Sequence, residues 1–256
     1  MKTVTLLTDF GLKDPYAGIM KGVILAINPD VRIVDITHEV DPQDVRGGAF
    51  LIEESYRYFE KGTIHVAIVD PTVGSNRRPI VFTKGGYFFI GPDNGLFTLM
   101  YDDTVRIYTI ENSSYMGKEK SPTFHGRDIF APAAAHLASG VQLSAFGSEV
   151  QDPVLIPGIY PVIEKHFLKG EVIRFDRFGN AITNIAQTVI DDFTKQKACT
   201  IHFRGMAFRK IQKSYYEGEV VCLIGSSGYL EFGYFKGNLK DKLGLKKGDQ
   251  VMIKIS

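Results

Sequence analysis

Val4-Thr5-Leu6-Leu7-Thr8 is a run of β-branched and apolar residues that stops at Asp9-Phe10-Gly11. A run that is apolar on both faces suits a strand inside a parallel sheet. Pro15 follows, tolerated at a helix start, and then Ile19, Val23, Ile24 and Ile27 recur at helical spacing. Asn28-Pro29 ends that helix, and residues 32–36 form a second strand. Strand, helix, strand is the opening of an α/β alternation.

Working outward, residues 45–58 read as a helix whose start is weakened by Gly47 and Gly48. Residues 64–69 read as a third strand, and residues 79–83 and 87–90 as a hairpin around Gly85-Gly86. Residues 127–139 are Ala-rich and end at Gly140, a glycine C-cap. Residues 150–167 contain Pro153, Pro157 and Pro161 with little periodicity, the pattern of a linker. Beyond it, short apolar runs at 171–175, 200–203, 220–224, 229–232 and 251–255 are separated by Gly and Asn, with no long helix. The expected architecture is an N-terminal α/β domain over residues 1–152, a Rossmann-like three-layer sheet, then a linker over 153–168. A C-terminal all-β barrel or sandwich domain over 169–256 completes it.

Composition excludes several classes of function. The chain has 256 residues, 44% hydrophobic and 23% charged, which is globular rather than disordered. Lys+Arg number 30 against 29 Asp+Glu, a net charge of +1, so there is no electrostatic footprint for nucleic acid or an anionic membrane. No apolar run approaches the roughly 18 residues of a membrane span. Asp9 falls where the apolar core of a signal peptide would lie, so none is read. Cys199 and Cys222 make neither a disulfide scaffold nor a zinc cluster, and the six histidines show no metal-ligand spacing. A soluble, cytoplasmic protein without a metal site is expected.

Ligands of open parallel sheets bind at the carboxyl ends of strands. Asp9 follows the first strand, Asp35 and Thr37 the second, and Asp70 the third. Such carboxylates accept ribose hydroxyls or a ligand ammonium, although each alone is as readily a turn or capping residue. In Asp70-Pro71-Thr72-Val73-Gly74-Ser75-Asn76-Arg77-Arg78, one arginine is expected in a cleft and the other in solvent. In Phe124-His125-Gly126-Arg127-Asp128, a histidine at a loop–helix junction has the means to act as acid, base or donor; a surface cap is the bland alternative. No Gly-x-Gly-x-x-Gly, Walker A loop or Gly-x-Ser-x-Gly elbow is present. In the C-terminal half, Phe178 in Asp176-Arg177-Phe178-Gly179-Asn180 offers a face to a planar base and Asn180 an edge-reading amide. Gly179-Asn180 is equally a hairpin tip. Ser226-Ser227-Gly228-Tyr229 presents hydroxyls and amides, or is another hairpin.

Seven of these motifs occur in order along nearly the whole chain. They are Leu7-Thr8-Asp9-Phe10-Gly11 with Asp14, Asp35-Ile36-Thr37-His38, Asp70-Pro71-x-Val73-Gly74 with Arg77-Arg78, Gly91-Pro92-Asp93-Asn94-Gly95, Phe124-His125-Gly126-Arg127-Asp128, Asp176-x-Phe178-Gly179-Asn180 and Ser226-Ser227-Gly228-Tyr229. Together they resemble the S-adenosyl-L-methionine hydroxide adenosyltransferase family, hydrolytic relatives of fluorinase and chlorinase. The resemblance implies cleavage of S-adenosylmethionine by water to adenosine and L-methionine, with no metal or cofactor. It implies a homotrimer, with substrate held between the N-terminal domain of one subunit and the C-terminal domain of its neighbour. The family's catalytic Asp, Arg and His fall on Asp70, Arg77 and His125. Asp9 matches the carboxylate on the ribose hydroxyls, and Asp14 and Asp176 those near the methionine amino group. Phe178 and Asn180 match the adenine contacts, and Ser226 and Ser227 the carboxylate contacts. Halide-using relatives carry Tyr at the place of Asp70 and Thr at that of Val73, and tend to have an inserted loop not seen here; Gly126 does not discriminate. Residues 233–239 depart from the family's adenine-enclosing segment.

The chemistry fits those residue types. The sulfonium is already an activated leaving group, so the difficulty is the nucleophile, a weak water that must lie behind C5′. Arg77 favours its hydroxide form, His125 holds it or takes its proton, and Asp70 orients either partner. The competing readings are a halide-dependent adenosyl transferase, a non-catalytic adenosine or S-adenosylmethionine sensor, and a methyltransferase, the last weakened by the missing glycine loop.

Overall fold

The computed structural model describes residues 1–255. The chain divides into two compact units, Met1–Ile156 and Pro157–Ser256. The division falls inside the stretch read as a linker.

The first unit runs β1 (Thr3–Thr8), α1 (Tyr16–Ile27), β2 (Arg32–Thr37), α2 (Val45–Ser55), β3 (Ile64–Ile68), β4 (Pro79–Lys84), β5 (Tyr87–Pro92), β6 (Arg106–Thr109), α3 (Ala131–Ala138) and β7 (Glu149–Val150). Its sheet has the order β2-β1-β3-β5-β4-β6-β7. β1 lies parallel to β2 and β3, and β3 parallel to β5, whereas β4, β6 and β7 join by antiparallel pairing. The sheet is therefore mixed, because the Gly85-Gly86 hairpin reverses the chain. Val4 and Leu6 of β1 pack with Met20 and Ile24 of α1 and with Ala131 and Ala134 of α3. Leu7 packs on the other side, with Ile52 of α2, Tyr56 and Phe97. Alternate side chains of β1 thus enter two apolar clusters, the reason for its continuous hydrophobicity.

Two local expectations change. The buried stripe of α1 is Ala17, Met20 and Ile24, while Ile19 and Ile27 are exposed. Gly47 and Gly48 do not merely weaken α2. Gly47 donates its N–H to the capping carboxylate of Asp44 at 2.8 Å, and a Cβ on Gly48 would come within 2.9 Å of Leu96 and 3.0 Å of Val69. The glycines let the helix start close against the strand that leads to Asp70.

The second unit runs β8 (Val162–Ile163), β9 (Phe167–Phe175), β10 (Ala181–Ala186), α4 (Gln187–Thr194), β11 (Cys199–Phe203), β12 (Met206–Phe208), β13 (Val220–Ile224), β14 (Tyr229–Tyr234), α5 (Leu239–Leu243) and β15 (Gln250–Ile255). The order is β12-β11-β15-β9-β10-β14-β13, with β8 on β9, and every pairing is antiparallel. Phe203 of β11 stacks on Phe232 of β14 with centroids 4.1 Å apart. Those strands are four places apart in the sheet, so the sheet curls round into a nearly closed barrel. The unit is not purely β, since α4 and α5 punctuate it. The outer edge of β13 is covered by Gln212, which donates its N–H to the Cys222 carbonyl and accepts the Cys222 N–H on its side chain. Among the described residues, no helix is long and apolar enough to cross a membrane.

Candidate active site

The carboxyl ends of β1 and β3 bring Asp9 and Asp70 to one cavity of about 420 Å³ in the first unit. Phe10, Tyr16, Phe124 and His125 line it with them. Just past β3, the chain turns through Val73 N–H to Asp70 C=O at 3.3 Å. Gly74 sits at φ +82°, and a Cβ there would meet the Pro122 carbonyl at 2.4 Å. Only glycine permits this return, which swings Arg77 back over Asp70.

Arg77 donates Nε–H and Nη2–H to Asp70 Oδ2 at 2.9 and 2.5 Å, and both side chains are 6% exposed. Its Nη2 also lies 2.8 Å from His125 Nδ1, and the guanidinium covers the Phe130 ring. Arginine carries donors only, so Nδ1 is the acceptor and the His125 proton resides on Nε2. Burial, then the Arg77 charge, lowers the His125 pKa below the ordinary 6.5, with Asp70 and Asp128 opposing. The imidazole is neutral, in agreement with its hydrogen bond. Thr72 donates Oγ1–H to the other Asp70 oxygen at 3.2 Å. His125 precedes a π-helical turn over Gly126–Phe130 that continues into α3. A Cβ on Gly126 would crowd Met20 and Phe124 at 3.2 Å.

The other sequence candidates separate. Asp9 lines the cavity and accepts the Gln43 N–H at 2.9 Å. Asp14 stands exposed and outside the cavity lining. Asp35 lies within β2 and binds Lys21 at 2.5 Å rather than the cavity. Arg78 is not the solvated arginine expected, because it bridges fully buried Asp93 at 2.7 Å and Asp152 at 2.7 Å. Asn94 donates to the Val69 carbonyl at 2.9 Å, so Asp93-Asn94 braces the chain next to Asp70.

The second unit holds a cleft of about 970 Å³ lined by Asp176, Phe178, Asn180, Tyr215, Ser226 and Glu231, among others. Asp176 Oδ1 accepts the N–H groups of Phe178 and Asn180 at 2.9 Å each, and Oδ2 accepts Asn180 Nδ2 at 2.9 Å. This knot holds Phe178 out, 72% exposed. Ser226 lines the cleft from the β13–β14 hairpin, whereas Ser227 does not. Sequence reasoning missed Tyr215 and Glu231. The Tyr215 hydroxyl donates to Glu231, and burial followed by that carboxylate pushes its pKa up. A buried acid in the apolar run of β14 was the available signal. Among the described residues, no group of three His, Cys, Asp or Glu side chains is placed to hold a metal ion.

Family models described as SAM hydroxide adenosyltransferase N-terminal and C-terminal domains match residues 4–147 and 170–252. A Thermus thermophilus protein named (R)-S-adenosyl-L-methionine hydrolase is 38% identical over 99% of this chain and 100% of its own length. A Nocardia brasiliensis protein named fluorinase is 27% identical over 98% of this chain and 96% of its own. The crystal structure of an uncharacterized conserved protein from Thermotoga maritima superposes with a TM-score of 0.89 at 35% identity, covering 98% of this chain and 99% of that one.

Proposed function

This chain belongs to the SAM hydroxide adenosyltransferase family, and from that premise we propose that it hydrolyses S-adenosyl-L-methionine to adenosine and L-methionine. Water oxygen bonds to C5′, the C5′–S bond breaks with its electron pair staying on sulfur, and one proton is released. Sulfur departs as a neutral thioether, so the chemistry calls for no acid on the leaving group and no metal or cofactor.

The observation that carries the reading is the Asp70–Arg77–His125 cluster at the wall of a nucleoside-sized cavity. His125 has its Nδ1 lone pair committed to Arg77, so its remaining pole is the Nε2–H donor, which holds the water through oxygen. Asp70 keeps acceptor capacity beyond Arg77 and Thr72, and takes the water proton as the C5′–O bond forms. Held between one donor and one acceptor, a water has its free lone pair directed, and such positioning supplies up to about 7–11 kcal/mol in well-oriented systems. The Asp70 negative charge repels a halide at the same place, favouring water over halide.

Asp9 holds the ribose hydroxyls. Phe178 and Asn180 take adenine, Asp14 and Asp176 the methionine ammonium, and Ser226 with Ser227 its carboxylate. Asp176 already accepts three N–H groups, and a carboxylate has about four acceptor positions, so one remains for an ammonium. The N-terminal unit, read as Rossmann-like in layering, carries the reacting groups, and the C-terminal unit carries the base-recognising ones. That split supports a homotrimer whose sites each combine the first unit of one subunit with the second of its neighbour. Two free cysteines suit the reducing cytoplasm.

The test is chromatography of the products after incubation with S-adenosylmethionine in halide-free buffer. Adenosine and methionine in equal amounts are expected. Tight binding with no methionine over hours means a sensor, S-adenosylhomocysteine means a methyltransferase, and 5′-halo-5′-deoxyadenosine on adding chloride or fluoride means halide transfer.

A further inference from the structure

The motif Asp35-Ile36-Thr37-His38 has no part in the site as described, yet His38 is only 3% exposed. Its Nδ1 lies 2.8 Å from the hydroxyl of Thr8, itself fully buried at the end of β1. Its Nε2 lies 3.2 Å from Asp35 Oδ1, at an angle off a well-aligned hydrogen bond. Asp35 Oδ2 in turn binds Lys21 Nζ at 2.5 Å. A lone pair on Nε2 would face a carboxylate and be repelled, so the proton sits there and Nδ1 accepts the Thr8 O–H. Thr8 Oγ1 then uses a lone pair to accept the Phe10 N–H at 3.2 Å.

The backbone of the same segment closes the arrangement. The His38 carbonyl accepts the Gly11 N–H at 2.7 Å, and the Thr8 carbonyl accepts the Val40 N–H at 3.3 Å. Asp9 lies between these ties. Its Oδ2 accepts the N–H of Gln43, which is held at φ +67°. That left-handed conformation is unfavourable in a non-glycine residue, a local strain the surrounding contacts must offset. Thr8 before Asp9 and Gly11 after it are therefore pinned to the 38–43 loop, and His38 is tied to that pair twice, by side chain and by carbonyl.

We propose that His38, backed by Asp35 and acting through Thr8, is a positioning residue that fixes the Asp9 carboxylate in the cavity to receive the ribose hydroxyls. The proposal rests on Asp9 holding the ribose, as proposed above. Burial pushes the Asp35 carboxyl up, but the Lys21 hydrogen bond and the nearby His38 ring more than offset it, so Asp35 stays charged and the His38 tautomer stays fixed.

The test compares adenosine with 2′,3′-dideoxyadenosine by calorimetry on the full-length chain. His38→Ala is expected to weaken adenosine about tenfold, roughly the worth of one charge-assisted hydrogen bond. Dideoxyadenosine, which has no hydroxyl for Asp9, is expected to change less than about twofold on the same reasoning. His38→Asn, whose amide oxygen falls near the place of Nδ1, restores part of the loss. In an Asp9→Asn background, His38→Ala is expected to add nothing further, the mark of two residues acting as one. Asp35→Asn, at a half-exposed position the fold tolerates, should give the same nucleoside-selective loss in smaller measure. Equal losses for both nucleosides, or a full further loss in the Asp9→Asn background, overturns the role of His38. Failure of the wild-type chain to bind adenosine overturns the ribose assignment and the His38 role with it.

Discussion

Arg77 contributes three N–H bonds from one planar group, two to Asp70 and one to His125. Lysine keeps the charge but not the fork. Arg77→Lys is expected to lower kcat by about tenfold or more, as for loss of a positioned polar group, with the circular dichroism melt little changed. Protonating His125 would put a second proton against Arg77 and break their bond. Activity should therefore be level at neutral pH and fall as pH drops through a value below the ordinary 6.5. His125→Gln should be slow and lack that acid limb, as a pH–rate profile will show. The types of these residues were legible in the sequence, but their meeting was not. Asp70 and Arg77 are 7 residues apart and Arg77 and His125 are 48 apart. Arg77 and Arg78 have the same local sequence, so which one turns inward is decided by Asp93, buried where only Arg78 reaches.

At the scale of elements, β1, β3 and the Gly85-Gly86 hairpin announced themselves by composition, whereas β10 did not. Its Thr183 and Asn184 look like loop residues, yet both are buried. Thr183 donates to the Leu230 carbonyl at 2.8 Å, and Asn184 accepts the Glu171 N–H at 2.9 Å across the irregular β9–β10 register. Polar side chains that mend a sheet carry no apolar pattern to read. The start of α2 shows competing magnitudes. Gly48→Ala gains about 1 kcal/mol of helix propensity but forces a Cβ to 2.9 Å from Leu96. Overpacking costs about 1–3 kcal/mol, so the variant should lose stability in urea unfolding. In β3, His65 is fully buried, bonds Thr5 at 2.7 Å and stacks on Phe89; burial lowers its pKa to about 4. The unfolded chain binds this proton more readily, so stability is full above the unperturbed 6.5 and falls as pH drops toward 4. The loss over that window is about 3 kcal/mol. His65→Gln should flatten this part of the stability–pH curve.

At the scale of the whole molecule, the α/β and β halves were plain from where helical spacing ends and short runs begin. Each half has its own apolar core, so each could be read by itself. The curl of the second sheet was not legible, because the Phe203–Phe232 stack joins residues 29 positions apart with nothing local to announce it. If each site draws on two subunits, two inactive variants must rescue each other. Asn180→Ala and His125→Ala, unfolded together and refolded, should regain a measurable fraction of turnover that neither shows alone; no regain would place all the groups within one subunit.

The Gln212 cover on β13 has a consequence for behaviour in concentrated solution. An uncovered strand border is a template on which another chain can add, and that is how sheets seed fibrils. Here both the amide and the carbonyl of Cys222 already have a partner in the same chain, so shortening the loop that carries Gln212 would trade solubility for stickiness.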